Sequence, residues 1–129
     1  MKKKLVSAML VLALLLTYTV SAMAGSTSTN PGMVDGYSCS GTATVTSYGG
    51  SATTHYAGSS AALSAKVVYR YEDGKGVLQT LEIRESNNGS SVTASRSLPS
   101  GAKRSYSAQG THTVSKTDYW SGTTPTAYL

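Results

Sequence analysis

The segment AALSAKVVYRYE, at positions 61–72, is the clearest indication of the fold of this chain. Apolar side chains occupy every second position from Ala61 onward, and most positions between them are polar or charged. This alternation is typical of a β-strand with one face in a core and the other in water. The DGKG that follows at 73–76 predicts a tight hairpin turn, because Gly accommodates the positive φ that such turns need. The alternating segment 77–85 is therefore expected to return beside the first strand.

The same period of two continues on both sides of this hairpin. Further strands are predicted at 37–45, 51–57, 90–98 and 102–116, with a last short one around Trp120. Turns are predicted at Gly49-Gly50, at Asn87-Asn88-Gly89 and at Pro99-Ser100-Gly101. About seven short strands, each with one polar face, predict an all-β domain built as an antiparallel two-sheet sandwich over 36–129. A small barrel is the alternative. The Ser/Thr/Gly/Pro-rich segment 25–35 is predicted to be a flexible lead-in.

The inner faces of these strands define a predicted core. In 102–116 the inner face is expected to carry Tyr106 and His112. The core itself is expected to include the following apolar residues: Val45, Leu63, Val67, Tyr69, Leu81, Ile83, Val92 and Val114.

The first 24 residues have the pattern of an export signal. Three lysines at 2–4 precede an apolar run at 5–16, and Ala22-Met23-Ala24 offers the small residues that a signal peptidase accepts. The run is too short for a spanning helix of about 20 residues, so no integral membrane segment is expected in the mature chain. We expect a bacterial protein that is secreted and cleaved after Ala24.

Charge and cysteine content narrow the range of partners. Three of the eleven basic residues lie in the leader, so the formal charge of +5 overstates that of the remaining chain, where basic residues barely outnumber the six acidic ones. Nucleic acid is not expected as a partner, because its binding needs clustered Lys and Arg. Cys39 is the only cysteine, which leaves three states open: buried, free, or bridging between chains.

The chain is poor in groups that perform catalysis. His55 and His112 are its only histidines, and their spacing from each other and from Cys39 matches no metal-ligand motif. The few carboxylates lie at predicted strand edges and turns, and no nucleophile or phosphate-loop motif is present. We therefore predict no catalytic residues, no metal site, no cofactor and no enzymatic activity.

Aromatic side chains are the candidates for binding. Tyr48, Tyr56, Tyr119 and Trp120 fall at predicted strand ends or in loops. Large rings there contact sugars or partner proteins well, although in a chain without Phe some Tyr must also fill the core. The expected partner is a cell-wall component, a glycan or a surface protein.

In its leader, its Gly/Ser/Tyr content and its cysteine-poor β pattern, the chain resembles the sandwich-type bacteriocins of Gram-positive bacteria, the lactococcin kind. The resemblance includes SAKVV at 64–68 and a Trp near the end. It implies an exported toxin that interferes with the wall precursors of a target cell. The leading hypothesis is a secreted, non-enzymatic sandwich that acts by surface contact; the alternatives are this bacteriocin-like function and a carbohydrate-binding module.

Overall fold

The computed structural model describes residues 24–129, which form ten β-strands and no helix. The predicted all-β class is confirmed. The strands are β1 Gly25–Ser28, β2 Gly32–Val34, β3 Tyr37–Thr46, β4 Gly49–Tyr56, β5 Ala61–Glu72, β6 Leu78–Gly89, β7 Ser91–Ser97, β8 Arg104–Ser115, β9 Tyr119–Thr123 and β10 Ala127–Tyr128. The predicted export signal lies outside the described residues except for Ala24. No helix within 24–129 is long and apolar enough to cross a membrane.

The strands form two antiparallel sheets of five strands each, which we call sheet A and sheet B. Sheet A has the order β1-β3-β4-β7, with β2 beside β1 on the same edge of β3. Sheet B has the order β10-β8-β5-β6, with β9 beside β10 on β8. This arrangement is the predicted sandwich.

The segment 25–35, predicted to be a flexible lead-in, instead contributes β1 and β2 to sheet A. Both strands pair with β3, so their extended structure depends on hydrogen bonds to β3 and not on their own Ser/Gly-rich sequence. β2 and β3 are joined by a two-residue turn in which Asp35 and Gly36 have φ of 50° and 82°. Positive φ at both central positions gives the turn the twist that a tight hairpin needs.

The core lies between the two sheets and consists mainly of small and β-branched side chains. Val45, Leu63, Val67, Tyr69, Val92 and Val114 are buried as predicted. Leu81 and Ile83 are only half-buried, so their assignment to the buried core is wrong, although Ile83 packs against that core. Both lie on β6, an edge strand that pairs only with β5 among residues 24–129, so the sandwich covers them incompletely.

A β-bulge reverses the side-chain alternation within β8. Opposite β5, Arg70 pairs with Ser107 and Tyr71 pairs with Ser105, which leaves Tyr106 as the extra residue. Tyr106 is therefore exposed, whereas the strand pattern had predicted it to face inward.

Two predicted turns are parts of strands. Gly49 and Gly50 begin β4, and Gly50 lies so close to Tyr69 that a Cβ there would be 2.7 Å from Cδ2 of the ring. Asn87 to Gly89 are the last residues of β6, and Ser90 connects this strand to β7. Gly50 thus allows close packing against Tyr69, while Gly49 and Gly89 lie at strand ends.

Candidate binding surfaces

Tyr56, one of the four aromatic residues predicted to bind a partner, belongs to the core. Its ring is 3% exposed, and its hydroxyl donates a hydrogen bond to the carbonyl of Val34 at 3.2 Å. Burial is also the main cause that raises the pKa of this hydroxyl. The prediction of an exposed Tyr56 is wrong because it is the last residue of β4 and falls on the inner face of that strand.

Trp120 covers the edge of the sandwich instead of projecting into solvent. It is half-buried and packs against the core. Its ring lies over Gly32 of β2 and Gly122 of β9, where a Cβ would come within 2.1 Å and 2.7 Å of ring atoms. The ring therefore joins the two sheets at this edge, which is a structural role.

Tyr48 and Tyr119 are exposed, at 83% and 66%, but they lie at opposite ends of the sandwich. Tyr48 is in the turn before Gly50, which packs on Tyr69. Tyr119 pairs with Ser115, and Ser115 lies opposite Ala62. Tyr48 therefore lies near Tyr69 and Tyr119 near Ala62. Tyr69 and Ala62 are seven residues apart on β5, or about 23 Å, so the four predicted residues do not form one site.

The nucleophilic and titratable candidates are dispersed. Cys39 is buried in β3, and this burial raises the pKa of its thiol. His55 is exposed on the outer face of β4, while His112 is fully buried. Within 24–129, no three His, Cys, Asp or Glu side chains come together as a metal site.

His112 is held inside the core in one tautomer. The Thr54 hydroxyl has a single proton, which it donates to the Ser64 carbonyl at 2.7 Å. It must therefore accept the Nδ1–H of His112, at 2.8 Å. Nε2 is then an unprotonated nitrogen, and it has no hydrogen-bond partner within the described residues. Burial, with a smaller effect of His55, lowers the pKa of the ring to about 4.

Asp35 and Asp118 form a structural clamp rather than an acid pair. The Asp35 carboxylate accepts the Thr117 hydroxyl and the Asp118 backbone N–H, and the Asp118 carboxylate accepts the Asp35 N–H at 3.0 Å. The Thr117 hydrogen bond is the main cause that lowers the pKa of Asp35. The clamp fixes the turn between β2 and β3 to the loop between β8 and β9.

The outer surface of sheet A consists mostly of hydroxyl groups, and we call these groups the hydroxyl face; His55 lies among them, between Ser40 and Ser91. The strand register aligns the hydroxyl groups in rows across the sheet. One row joins Ser26, Thr44, Ser51 and Ser95, and the next joins Ser28, Thr42, Thr53 and Thr93. The complete hydroxyl face consists of Ser26, Ser28, Ser38, Ser40, Thr42, Thr44, Thr46, Ser51, Thr53, Ser91, Thr93, Ser95 and Ser97.

The two sheets differ sharply in charge. Arg96 is the only Lys, Arg, Asp or Glu in the strands of sheet A, and it lies near the end of β7. The strands of sheet B carry a mixture of both signs: Lys66, Arg70, Glu72, Glu82, Arg84, Glu85 and Arg104. The sequence contained this signal, because the outer positions of the sheet A segments are almost all Ser or Thr. It is recognisable as a surface only once the pairing of strands distant in the chain is known.

No protein-family model matches the chain, and no curated protein has a significantly similar sequence.

Proposed function

We propose that the protein is secreted and acts without catalysis, by surface contact outside the cell, with the hydroxyl face as the contact surface and an uncharged polysaccharide as the partner. The observation that carries the proposal is the combination of aligned hydroxyl rows with a nearly complete lack of charge on sheet A.

The chemistry of the hydroxyl face favours this partner over others. Nucleic acid and anionic membranes are bound by basic clusters, which the face lacks. Interfaces between proteins rely on buried aromatic, Met and Arg anchors. The two four-residue rows of the face carry none, and the exposed Met33 lies beside Ser38 at its edge. A neutral polymer that offers hydroxyl or acetamido groups matches a face that both donates and accepts hydrogen bonds.

The repeat of the face supports an extended partner. Hydroxyls recur at every second residue, about 6.8 Å along a strand, and the strands are about 4.8 Å apart. Thr53 and Thr93 hydrogen-bond to each other across β4 and β7 at 2.8 Å, which helps to fix the rotamers of the central row. Single hydroxyl contacts are weak, so a repeating ligand is needed to make many of them at once.

Co-sedimentation with insoluble chitin and cellulose tests the proposal. The double variant Thr42→Lys/Thr53→Lys places two charges in the centre of the hydroxyl face, and we expect the bound fraction to fall about fivefold or more. Thr111→Lys/Thr113→Lys is the matched control, because both residues lie on the outer face of β8 in sheet B. Equal effects of the two double variants, or no binding by the native protein, would contradict the proposed contact surface.

Secretion is tested by sequencing the N-terminus of protein recovered from the medium. Cleavage after Ala24 gives Gly25 as the first residue, which is also the first residue of β1. An intact Met1 in a membrane fraction would mean that the leader remains as an anchor.

The bacteriocin-like function is the second candidate. The two-sheet sandwich agrees with the fold that the resemblance implies, although one fold supports many functions. A growth-inhibition zone around purified protein, on a lawn of Gram-positive bacteria, would favour the toxin; unaffected growth together with chitin binding would favour the surface-contact protein.

A further inference from the structure

The outer surface of sheet B, on the opposite side of the sandwich from the hydroxyl face, contains a depression of about 300 Å³. One row of cross-strand neighbours passes through it, formed by Thr80 of β6, Arg70 of β5, Ser107 of β8 and Tyr128 of β10. Gln109 also lines the depression. The volume lies at the lower end of the range for small-ligand sites, which suits about one sugar ring.

Arg70 brings a positive charge to this depression. Its Nε donates to the Thr80 hydroxyl at 3.4 Å, and it has no carboxylate within salt-bridge distance among residues 24–129. The nearby acids have other partners: Glu82 pairs with Lys66 at 3.3 Å, and Glu72 pairs with Arg104 at 2.8 Å. The remaining N–H groups of Arg70 are therefore available to a ligand, and a guanidinium fork binds a carboxylate in two parallel hydrogen bonds.

Tyr128 supplies an aromatic wall. Its ring is 60% exposed and is supported edge-to-face by Tyr106, with ring centroids 5.8 Å apart. The β-bulge in β8 turns Tyr106 outward to meet it. Bulges are frequent beside functional sites, where they redirect a side chain.

Gln109 adds an oriented acceptor. Its amide nitrogen donates to the Thr124 carbonyl at 3.2 Å, which fixes the amide and leaves its own carbonyl oxygen for a ligand hydroxyl. The guanidinium group of Arg70, the ring of Tyr128 and the fixed amide of Gln109 thus lie around one shallow depression.

We propose that this depression binds a sugar that carries a carboxylate, such as a uronic acid unit. Arg70 holds the carboxylate, Tyr128 packs against the apolar face of the sugar ring, and Gln109 accepts a hydrogen bond from a ring hydroxyl. The site is independent of the hydroxyl face, since it lies on the other sheet and selects for charge.

The test is isothermal titration of the purified protein with a trimer of galacturonic acid, and with its methyl ester as the uncharged counterpart. We expect binding of the acid, and affinity at least about tenfold lower for the ester and for Arg70→Gln, because charge-assisted hydrogen bonds are lost. Tyr128→Ser is expected to weaken binding comparably. Arg84→Gln is the matched control: it removes the same charge from the outer face of the same sheet, and its affinity should stay within about twofold.

Three results would overturn the inference: no binding of the acid, equal binding of the ester, or equal loss in Arg70→Gln and Arg84→Gln, which would indicate general charge attraction. Competition by acetate at concentrations similar to those of the trimer would also overturn it, since the ring contact would then contribute nothing. The Thr42→Lys/Thr53→Lys variant should keep its galacturonate affinity, so failure of the hydroxyl face and failure of this site are distinguishable.

Discussion

At the residue scale, His112 is the least conventional feature of the core. Its ring fits where neighbouring strands lack a side chain: a Cβ at Gly41 or Gly110 would come within 2.2 Å or 2.4 Å of ring atoms. Its Nε2 has no partner among the described residues, so a proton there would be a buried and unpaired charge. The sequence predicted His112 on the inner face of its strand, which is confirmed, and of its two ring nitrogens only Nδ1 has a hydrogen-bond partner among the described residues.

We predict that this histidine makes the fold sensitive to acid. The unfolded chain protonates His112 below about pH 6.5, whereas the folded protein does so only near pH 4. The unfolded state therefore binds more protons in between, and stability falls as the pH decreases from 6.5 to 4, by about 3 kcal/mol in total, and levels off below. Urea unfolding at pH 7, 5.5 and 4.5 measures this loss.

His112→Phe should abolish most of that pH dependence, because it removes the titrating group and leaves the Thr54 hydroxyl bonded to Ser64. His55→Gln is the control, since His55 is exposed, and it should retain the dependence. An unchanged slope in His112→Phe would contradict the assignment.

At the element scale, the position of a strand in its sheet determines what its apolar residues contribute. Leu63 on the central strand β5 is 2% exposed, so Leu63→Ala is expected to cost about 2–5 kcal/mol. Leu81 on the edge strand β6 is half-buried, so Leu81→Ala is expected to cost less than about 1.5 kcal/mol. Chemical denaturation of both variants measures the two losses of stability, and equal losses would mean that the core side of β6 is fully buried.

The same edge strand carries a charged side chain that disfavours association between molecules. Glu85 lies on the core side of β6, opposite Ala65, and yet it is exposed. A charge directed inward on an edge strand disfavours pairing with a second sheet. We expect Glu85→Val to form dimers or larger species in size-exclusion chromatography, whereas Glu82→Val, with the same change on the outer face, should associate less.

Alternation predicts the long strands well, because one buried face selects an apolar residue at every second position, as in β3 and β5. It cannot locate β1 and β2, whose order comes from pairing with β3, although Asp35-Gly36 is a recognisable hairpin signal. It also misses the bulge at Tyr106, since the extra residue is defined only by the partner strand. Tyr56 and Trp120 lie near the ends of predicted strands, and alternation alone does not show which neighbouring strands cover their rings.

At the scale of the whole molecule, the sandwich separates two chemistries. Sheet A presents aligned hydroxyls and almost no charge, and sheet B presents mixed charges and the depression at Arg70. Sequence composition predicted the Ser/Thr-rich polar faces but not their segregation onto one sheet. That segregation follows from the strand order. β7 pairs with β4 in the sheet of β3, although β5 and β6 lie between β4 and β7 in the chain.

The proposed contact with a polysaccharide occurs through the hydroxyl face. The most direct test is to map backbone amide shifts by NMR while titrating the protein with soluble hexamers of N-acetylglucosamine and of glucose. We expect shifts concentrated in β3, β4 and β7, at amides next to Thr42, Thr53 and Thr93, with at least one of the two hexamers. These shifts should depend little on salt, because no charges are involved. Shifts confined to sheet B, or none with either hexamer, would contradict it.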